Sequence, residues 1–296
     1  MSLACIHTHT VFCDGSDDVE TCCRVASQKG LSSLGFSAHA PVKRKTGFRS
    51  GWHLPDERLE EYMEAVRAAK KRWEGKLPVY LGLEVDFIEG LMGPADRDYR
   101  DMGLDYIIAA VHYVLPAIGG PFTVDDSAEA VERRIKESYG GDPAGMVEAY
   151  FDAEAAMIRA GGFDVLGHPD VVRKNKDAFS ARGIRSFSEE DDFYRERAAA
   201  LAGLMAGTGI PAEVNTGGLN RGKTNDCYPS LGLLKLFRKH DVPMVINADA
   251  HKAEDLNGHY EEARKTMLAA GYAETVLFEG RENGLALWKK YNLSLS

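Results

Sequence analysis

Along the chain, short runs rich in β-branched and other apolar residues alternate with longer amphipathic or Ala/Glu/Arg-rich runs, the pattern of an α/β protein with parallel strands. The apolar runs predict strands at 3–7, 34–37, 79–85, 106–111, 165–167, 211–214, 244–247 and 275–278. Helices are predicted near 18–29, 56–74, 128–138, 143–160, 189–207, 230–239, 260–270 and 283–291, with Ser16 and Asp17 as start signals for the first. The segment 179–192 reads as an exposed loop. No internal repeat, low-complexity tract or linker-like break divides the 296 residues, so a single domain of α/β-barrel size is expected over 1–296.

The placement of polar residues against this pattern is informative. His7, His39, Glu84, His112, His168, Asn215 and Asp249 each fall at or just beyond the C-terminal end of a predicted strand. In barrels of parallel strands, that end is where reacting groups converge. The pair His7-Thr8-His9 lets two imidazoles reach one divalent cation if the strand has just ended or twists, although alone such a pair is also found as solvated edge residues. It is joined by Asp14, by His39 in Ser37-Ala38-His39-Ala40-Pro41, and by Glu84 in Gly82-Leu83-Glu84-Val85-Asp86. His112 in Ala110-Val111-His112-Tyr113, His168 in Gly167-His168-Pro169-Asp170, and Asn247-Ala248-Asp249-Ala250-His251 complete the set. Imidazole and carboxylate together suit zinc, iron or manganese, and ligand type does not choose among the three.

Composition narrows the partners. A formal net charge of −9 argues against a broad phosphate-backbone footprint, so nucleic acid is not expected as a partner, whereas a small anionic substrate is compatible with bound cations that reverse the local potential. The N-terminal residues lack a basic segment followed by a long apolar stretch, and the longest apolar runs are strand-sized, so no membrane association and a cytoplasmic location are expected. Five cysteines, two of them adjacent, do not form a disulfide framework and read as free thiols.

Taken in order, His-x-His, Asp, His, Glu, His, His and Asp-x-His resemble the PHP (polymerase and histidinol phosphatase) family over essentially the whole chain. The stand-alone histidinol-phosphatase branch is most similar. Its likeness is carried by Gly82-Leu83-Glu84, Val111-His112-Tyr113 with Asp125 downstream, Tyr150-Phe151, residues 167–174, residues 215–219 and Tyr228-Pro229-Ser230. The resemblance implies a distorted (β/α)7 barrel with three divalent metal ions at the C-terminal ends of the strands. One ion would take His7, His9, Glu84 and Asp249; a second would share Glu84 and add His112 and His168; the third would take Asp14, His39 and His251. Eight strands are read where seven are implied, so one is an extra strand or not a strand. The implied activity is metal-dependent hydrolysis of L-histidinol phosphate to L-histidinol and phosphate, a step of histidine biosynthesis.

Phosphoester hydrolysis independently favours a bridged cluster, because closely spaced ions acidify a shared water and stabilise the attacking and leaving oxygens of an in-line displacement. Glu84, with two oxygens, is the natural bridge. Arg173 is chosen as phosphate clamp, since a guanidinium fork matches two phosphate oxygens and the resembled branch places a basic residue there; Arg221 is a second candidate, balanced against a surface ion pair. Arg49, near Trp52 and His53, would belong to a substrate-covering segment, against the plainer reading of an ordinary loop. Asp249 and His251 are the candidates for protonating the leaving alkoxide. Asp170 is read as an acceptor orienting His168, and Glu213 as either such an acceptor or an interior barrel carboxylate. His53, His240 and His259 are read as structural. Three other functions compete: the same centre acting on a nucleotide or other small phosphate ester, a metal-binding module without turnover, and amide hydrolysis on a related barrel. The last two fit less well, because none of the nine ligand positions is missing and no lysine stands at position 84.

Overall fold

The structure is a computed structural model describing residues 3–43 and 50–294. In chain order it runs β1 (Ala4–Cys5), α1 (Val19–Gln28), β2 (Ser33–His39), α2 (Leu59–Arg72), β3 (Val79–Asp86), α3 (Arg97–Arg100) and β4 (Tyr106–Ala110). A small hairpin of β5 (Tyr113–Val114) and β6 (Phe122–Thr123) precedes α4 (Ala128–Tyr139), α5 (Pro143–Ala160), β7 (Val165–Leu166), α6 (Lys176–Ala181) and α7 (Asp192–Met205). Then follow β8 (Ala212–Asn215), α8 (Gly217–Asn220), α9 (Leu231–Lys239), β9 (Met244–Asn247), α10 (Tyr260–Ala269), β10 (Glu274–Glu282) and β11 (Leu285–Asn292).

Seven strands pair in parallel in the order β1-β2-β3-β4-β7-β8-β9. The ring closes through a parallel bridge between Thr8 and Ala250, where the His9 N–H donates to Ala250 O at 2.8 Å and the Ala250 N–H to His7 O at 3.1 Å. Asn247 Oδ1 accepts the Ile6 N–H at 2.8 Å, a side chain standing in for ladder pairing at the seam. This is the expected distorted (β/α)7 barrel.

Helix ends follow local chemistry. Pro143 opens α5 behind Asp142, which accepts the Ala144 N–H, and Ser230 Oγ caps α9 by accepting from Leu233. The first helix is capped by Asp18, whose Oδ1 accepts the Thr21 N–H at 2.7 Å. Ser16 and Asp17, expected to start that helix, instead bind the 251–253 turn: Ser16 donates to His251 O and Asp17 accepts from the Ala253 N–H.

Side chains alternate between the faces of each strand, and the inward set changes character along the barrel. Gly82, Glu84 and Asp86 share one face of β3; Ile108 and Ala110 precede His112; Val245 and Asn247 precede Asp249. At the N-terminal end Ile6, Tyr106, Ile108, Val165 and Val245 form an apolar plug with Val276 and Phe278 of β10. Tyr106 crosses the interior and donates to Ile6 O at 2.5 Å; a Cβ on Gly82 would stand 2.4 Å from its ring, so glycine there makes room for the plug. Leu81, Leu83 and Val85 on the other face of β3 belong to the core under the helices.

Two sequence expectations change. The strand at 275–278 exists, but within an antiparallel hairpin of β10 and β11 that seals the barrel floor, so it is the extra strand. The helix expected at 283–291 is β11. Asn283 and Gly284 both have positive φ, 51° and 80°, the conformation of a two-residue hairpin turn. The supposed loop 179–192 begins inside α6 and buries Phe179 and Phe187. All five cysteines are free thiols. Among the described residues, no helix is long and apolar enough to cross a membrane.

Candidate metal centre

The nine residues expected as ligands converge at the C-terminal end of the barrel. Glu84, near the end of β3 and 1% exposed, lies at their centre. Its Oε2 is 3.2 Å from His7 Nε2, 3.5 Å from His9 Nε2 and 2.9 Å from His39 Nδ1. Its Oε1 is 2.8 Å from His168 Nε2 and 3.7 Å from His112 Nε2. One carboxylate thus faces five imidazoles from four other strand ends. Asp249 Oδ1 lies 3.2 Å from His9 Nε2 and 3.7 Å from His7 Nε2. Asp14 faces His251 at 3.1 Å, His9 at 3.6 Å and His39 at 3.7 Å.

The backbone is bent to bring these groups together. His168 and Asp249 have positive φ, 22° and 48°, sparsely populated values for non-glycine residues that the surrounding fold must hold. Gly217 allows close packing here: a Cβ there would lie 2.5 Å from Asp249 Oδ2.

The donor chemistry fits divalent cations. Among the described residues, His7 Nε2, His9 Nε2, His39 Nδ1 and Glu84 Oε2 are buried and crowd together at 2.9–3.5 Å without a well-aligned hydrogen bond, which is costly unless another species engages them. Donor atoms lie within 4.8 Å of one another in four sets: His9-Asp14-His39-His251, His7-His9-Asp249, His7-Glu84-His168 and His39-Glu84-His112. Glu84 enters two sets, as a bridging residue must. His112 and His168, expected on one ion, fall in separate sets that share Glu84.

Electrostatics tell the same story. Burial works to raise the Glu84 pKa, but His39 and His7 hold its carboxyl well below the ordinary value. Burial opposes charge on His7, yet Glu213, Glu84 and Asp249 carry its pKa well above normal. His112 is likewise pushed up to about 10 against burial, mainly by Asp86. His9 goes the other way, to about 3, because burial and its neighbours His251 and His39 disfavour a further proton. The pocket therefore gathers positive charge against its carboxylates, as protons or as metal ions.

Acceptors behind the imidazoles fix which nitrogen faces inward. Glu213 Oε1 is 2.8 Å from His7 Nδ1, and its Oε2 accepts the His168 backbone N–H at 2.9 Å, so this buried β8 carboxylate orients the His7 ring. Asp86 does the same for His112, with Oδ1 2.9 Å from Nδ1. Asp86 carries no role in the sequence reading, although its place two residues after Glu84 is the signal that could have found it. Asp170, expected to orient His168, does not: it accepts from the Tyr194 hydroxyl and the Ser230 N–H and pairs with Arg173.

The centre floors a cleft of about 340 Å³, within the range of small-molecule sites. Arg221 stands at the rim, with Nη2 3.1 Å from Asp249 Oδ2 and Nη1 2.9 Å from His251 Nδ1. Lys174 and Lys223 add two cations, while Trp52, Thr123, Asp125 and Asp126 form the rest of the wall. Arg173 is not there. Its side chain is 1% exposed and held by Asp170 at 3.0 Å, Glu189 at 3.0 Å, Asp226 at 3.1 Å and Cys227 O at 2.8 Å. The phosphate-clamp assignment is therefore corrected: Arg173 braces the loops behind the cleft, and the adjacent Lys174 reaches it. Arg49 lies outside the described residues. His53, set aside from sequence, is buried against Asp86 at 2.7 Å, whereas His240 and His259 lie away from the cleft. A larger hollow of about 680 Å³ at the barrel floor contains none of the nine ligands.

A profile of the PHP domain matches residues 6–217. The chain belongs to the PHP-domain family. Among PHP-related proteins, it is 27% identical over 277 residues to a probable histidinol-phosphatase of Deinococcus radiodurans, covering 93% of this chain and 96% of the relative. It is 26% identical over 267 residues to the histidinol-phosphatase of Bacillus subtilis, covering 86% and 96%. The crystal structure of a Lactococcus lactis histidinol phosphate phosphatase, complexed with zinc, L-histidinol and phosphate, superimposes with a TM-score of 0.69 over 95% of this chain and 99% of the other, at 20% identity. That likeness establishes the shared fold.

Proposed function

We propose that this PHP-domain protein is a metal-dependent phosphomonoesterase that hydrolyses L-histidinol phosphate to L-histidinol and inorganic phosphate. The observation that carries the metal-dependent chemistry is Glu84, whose two oxygens face five buried imidazoles while the inward nitrogens of three make no well-aligned hydrogen bond. The substrate follows from the two curated relatives, aligned over nearly their whole lengths and named for that activity.

His7, His9, Asp14, His39, Glu84, His112, His168, Asp249 and His251 would hold three divalent ions, zinc, iron or manganese, with Glu84 as the shared ligand. Bound ions supply Lewis acidity, which acidifies water and offsets charge on phosphoryl oxygens. The chain's own cations do the rest of the positioning. Arg221 bonds Asp249 through one nitrogen and can turn the other from His251 to a phosphoryl oxygen, and Lys174 and Lys223 reach the same cleft. In the reaction a water oxygen forms the new bond to phosphorus as the ester P–O bond breaks, and the departing alkoxide takes a proton. Asp249 and His251, 3.5 Å apart at the cleft, would be the candidates to deliver it; against burial, Arg221 and His7 hold the Asp249 carboxyl well below its ordinary value, which favours His251 as the donor. The acidic chain with its free thiols is read as a cytoplasmic enzyme that does not engage nucleic acid.

A panel of phosphomonoesters and phosphodiesters assayed with Mn²⁺ or Zn²⁺ tests this reading. Histidinol phosphate should exceed nucleoside monophosphates in kcat/KM by at least about tenfold, or about 1.4 kcal/mol of transition-state discrimination. No preference, or preference for a nucleotide, would sink the substrate assignment.

A further inference from the structure

His53 belongs to none of the donor sets, yet it is 7% exposed and fixed directly behind them. The Leu54 N–H donates to His39 O at 3.1 Å, which pins this stretch of chain beside the end of β2. From there His53 Nε2 reaches Asp86 Oδ2 at 2.7 Å. The other oxygen of Asp86 serves His112 twice, 2.9 Å from Nδ1 and 3.3 Å from the backbone N–H. A carboxylate that accepts from Nδ1 leaves Nε2 as the His112 nitrogen facing Glu84. Asp86 follows Glu84 by two residues on one strand face, so the orienting carboxylate and the central one are held at a fixed spacing. Trp52 completes the assembly. It stacks on His53 with ring centroids 3.8 Å apart and turns its edge to His39 at 4.5 Å and His112 at 5.3 Å.

We propose that Asp86 and His53 are positioning residues for His112: together they determine which imidazole nitrogen and which ring plane are presented to the cation held by His112 and Glu84, with Trp52 holding His53 against Asp86. Asp86 bonded by both rings cannot swing away from His112 without leaving the His53 N–H unpaired in a buried setting, so His53 stiffens the carboxylate that stiffens the ligand. This inference rests on reading the cluster as a metal centre. Its consequence is selective: the cation position that uses His112 depends on the pair, whereas in the set formed by His9, Asp14, His39 and His251 only His39 meets His112, ring to ring at 5.6 Å, and no member has a hydrogen bond to Asp86 among the described residues.

The test compares zinc retention by wild type, Asp86→Asn and His53→Phe, the last keeping an aromatic ring under Trp52 while removing the hydrogen bond. Each zinc-loaded protein is titrated with chelators of graded affinity and the retained equivalents are counted; thermal unfolding of the metal-stripped proteins is followed in parallel. Asp86→Asn should weaken one class of zinc by about 10–100-fold, the usual effect of losing a partner that orients a metal-binding histidine, and leave the others within about twofold. His53→Phe should weaken the same class by a smaller factor. If no class changes, or all weaken in step with a lower unfolding temperature of the stripped protein, the positioning role is overturned. Should Asp86→Asn fail to fold, unchanged zinc affinity in His53→Phe overturns it alone. A wild-type protein that binds no zinc overturns the metal-centre reading and this inference with it.

Discussion

Glu154 lies in the middle of α5 at 0% exposure and forms no ion pair among the described residues. Its Oε1 is 2.6 Å from the Tyr150 hydroxyl, and its Oε2 is buried without a partner. Burial, only partly offset by the Tyr150 hydrogen bond, pushes its carboxyl up to about 8 from an ordinary 4.5. The folded protein therefore holds this proton over a range in which the unfolded chain has released it. The folded-state pKa is the raised one, so the group's contribution to stability is complete below pH 4.5 and is lost as pH rises toward 8. With each unit worth about 1.36 kcal/mol, the loss between about pH 5 and pH 8 is about 3 kcal/mol. Glu154→Gln keeps an acceptor for Tyr150 and cannot ionise. Urea unfolding of both proteins, metal-stripped, at a series of pH values isolates the effect, because every other titrating group is common to both. The variant's stability relative to wild type should rise by about 3 kcal/mol across that interval. A difference that stays flat with pH, or one that grows toward acid, would refute the assignment of a neutral buried Glu154.

Two further substitutions probe parts of the fold that hold the centre in place. Arg173→Met leaves Asp170 buried without its cation and should destabilise the protein by about 3–5 kcal/mol in urea unfolding; a loss below about 1 kcal/mol would return Arg173 to the list of substrate ligands. Gly82→Ala drives a methyl into the Tyr106 ring and should cost about 1–3 kcal/mol, whereas Gly82→Ala combined with Tyr106→Phe, which keeps the ring, should recover little of it. Full recovery in that double variant, measured by the same unfolding titration, would place the clash at the hydroxyl instead of the ring.

The parts of the molecule that were legible in the sequence are those fixed by local pattern. Strand ends carrying His39, Glu84, His112, His168 and Asp249 could be found because a buried parallel strand is a short apolar run and a charged residue at its end breaks that run. The α5 boundaries were legible because Pro143 and Gly161 punctuate them. The Asn283-Gly284 pair signals a hairpin turn, but the Glu- and Lys-bearing flanks imitate a helical composition, which is why the sequence pattern points to a helix where β11 stands. Arg173 and His53 illustrate what pattern cannot supply. The carboxylates of Glu189 and Asp226 that hold Arg173 lie 16 and 53 residues away, and the Asp86 that holds His53 lies 33 residues away. Each side chain has a stem and polar end suited to a substrate or to a surface, and only the folded neighbours decide its role.

The central claim, that Glu84 organises a metal centre on which phosphate release depends, is tested most directly by stripping the protein with chelator, restoring Zn²⁺ or Mn²⁺ stepwise, and following phosphate released from L-histidinol phosphate. Stripped wild type should be inactive and recover to a plateau as cation is restored, while Glu84→Gln, folded by circular dichroism, should stay inactive at every cation concentration. Turnover by the stripped protein, or by Glu84→Gln at a rate near wild type, would contradict the account.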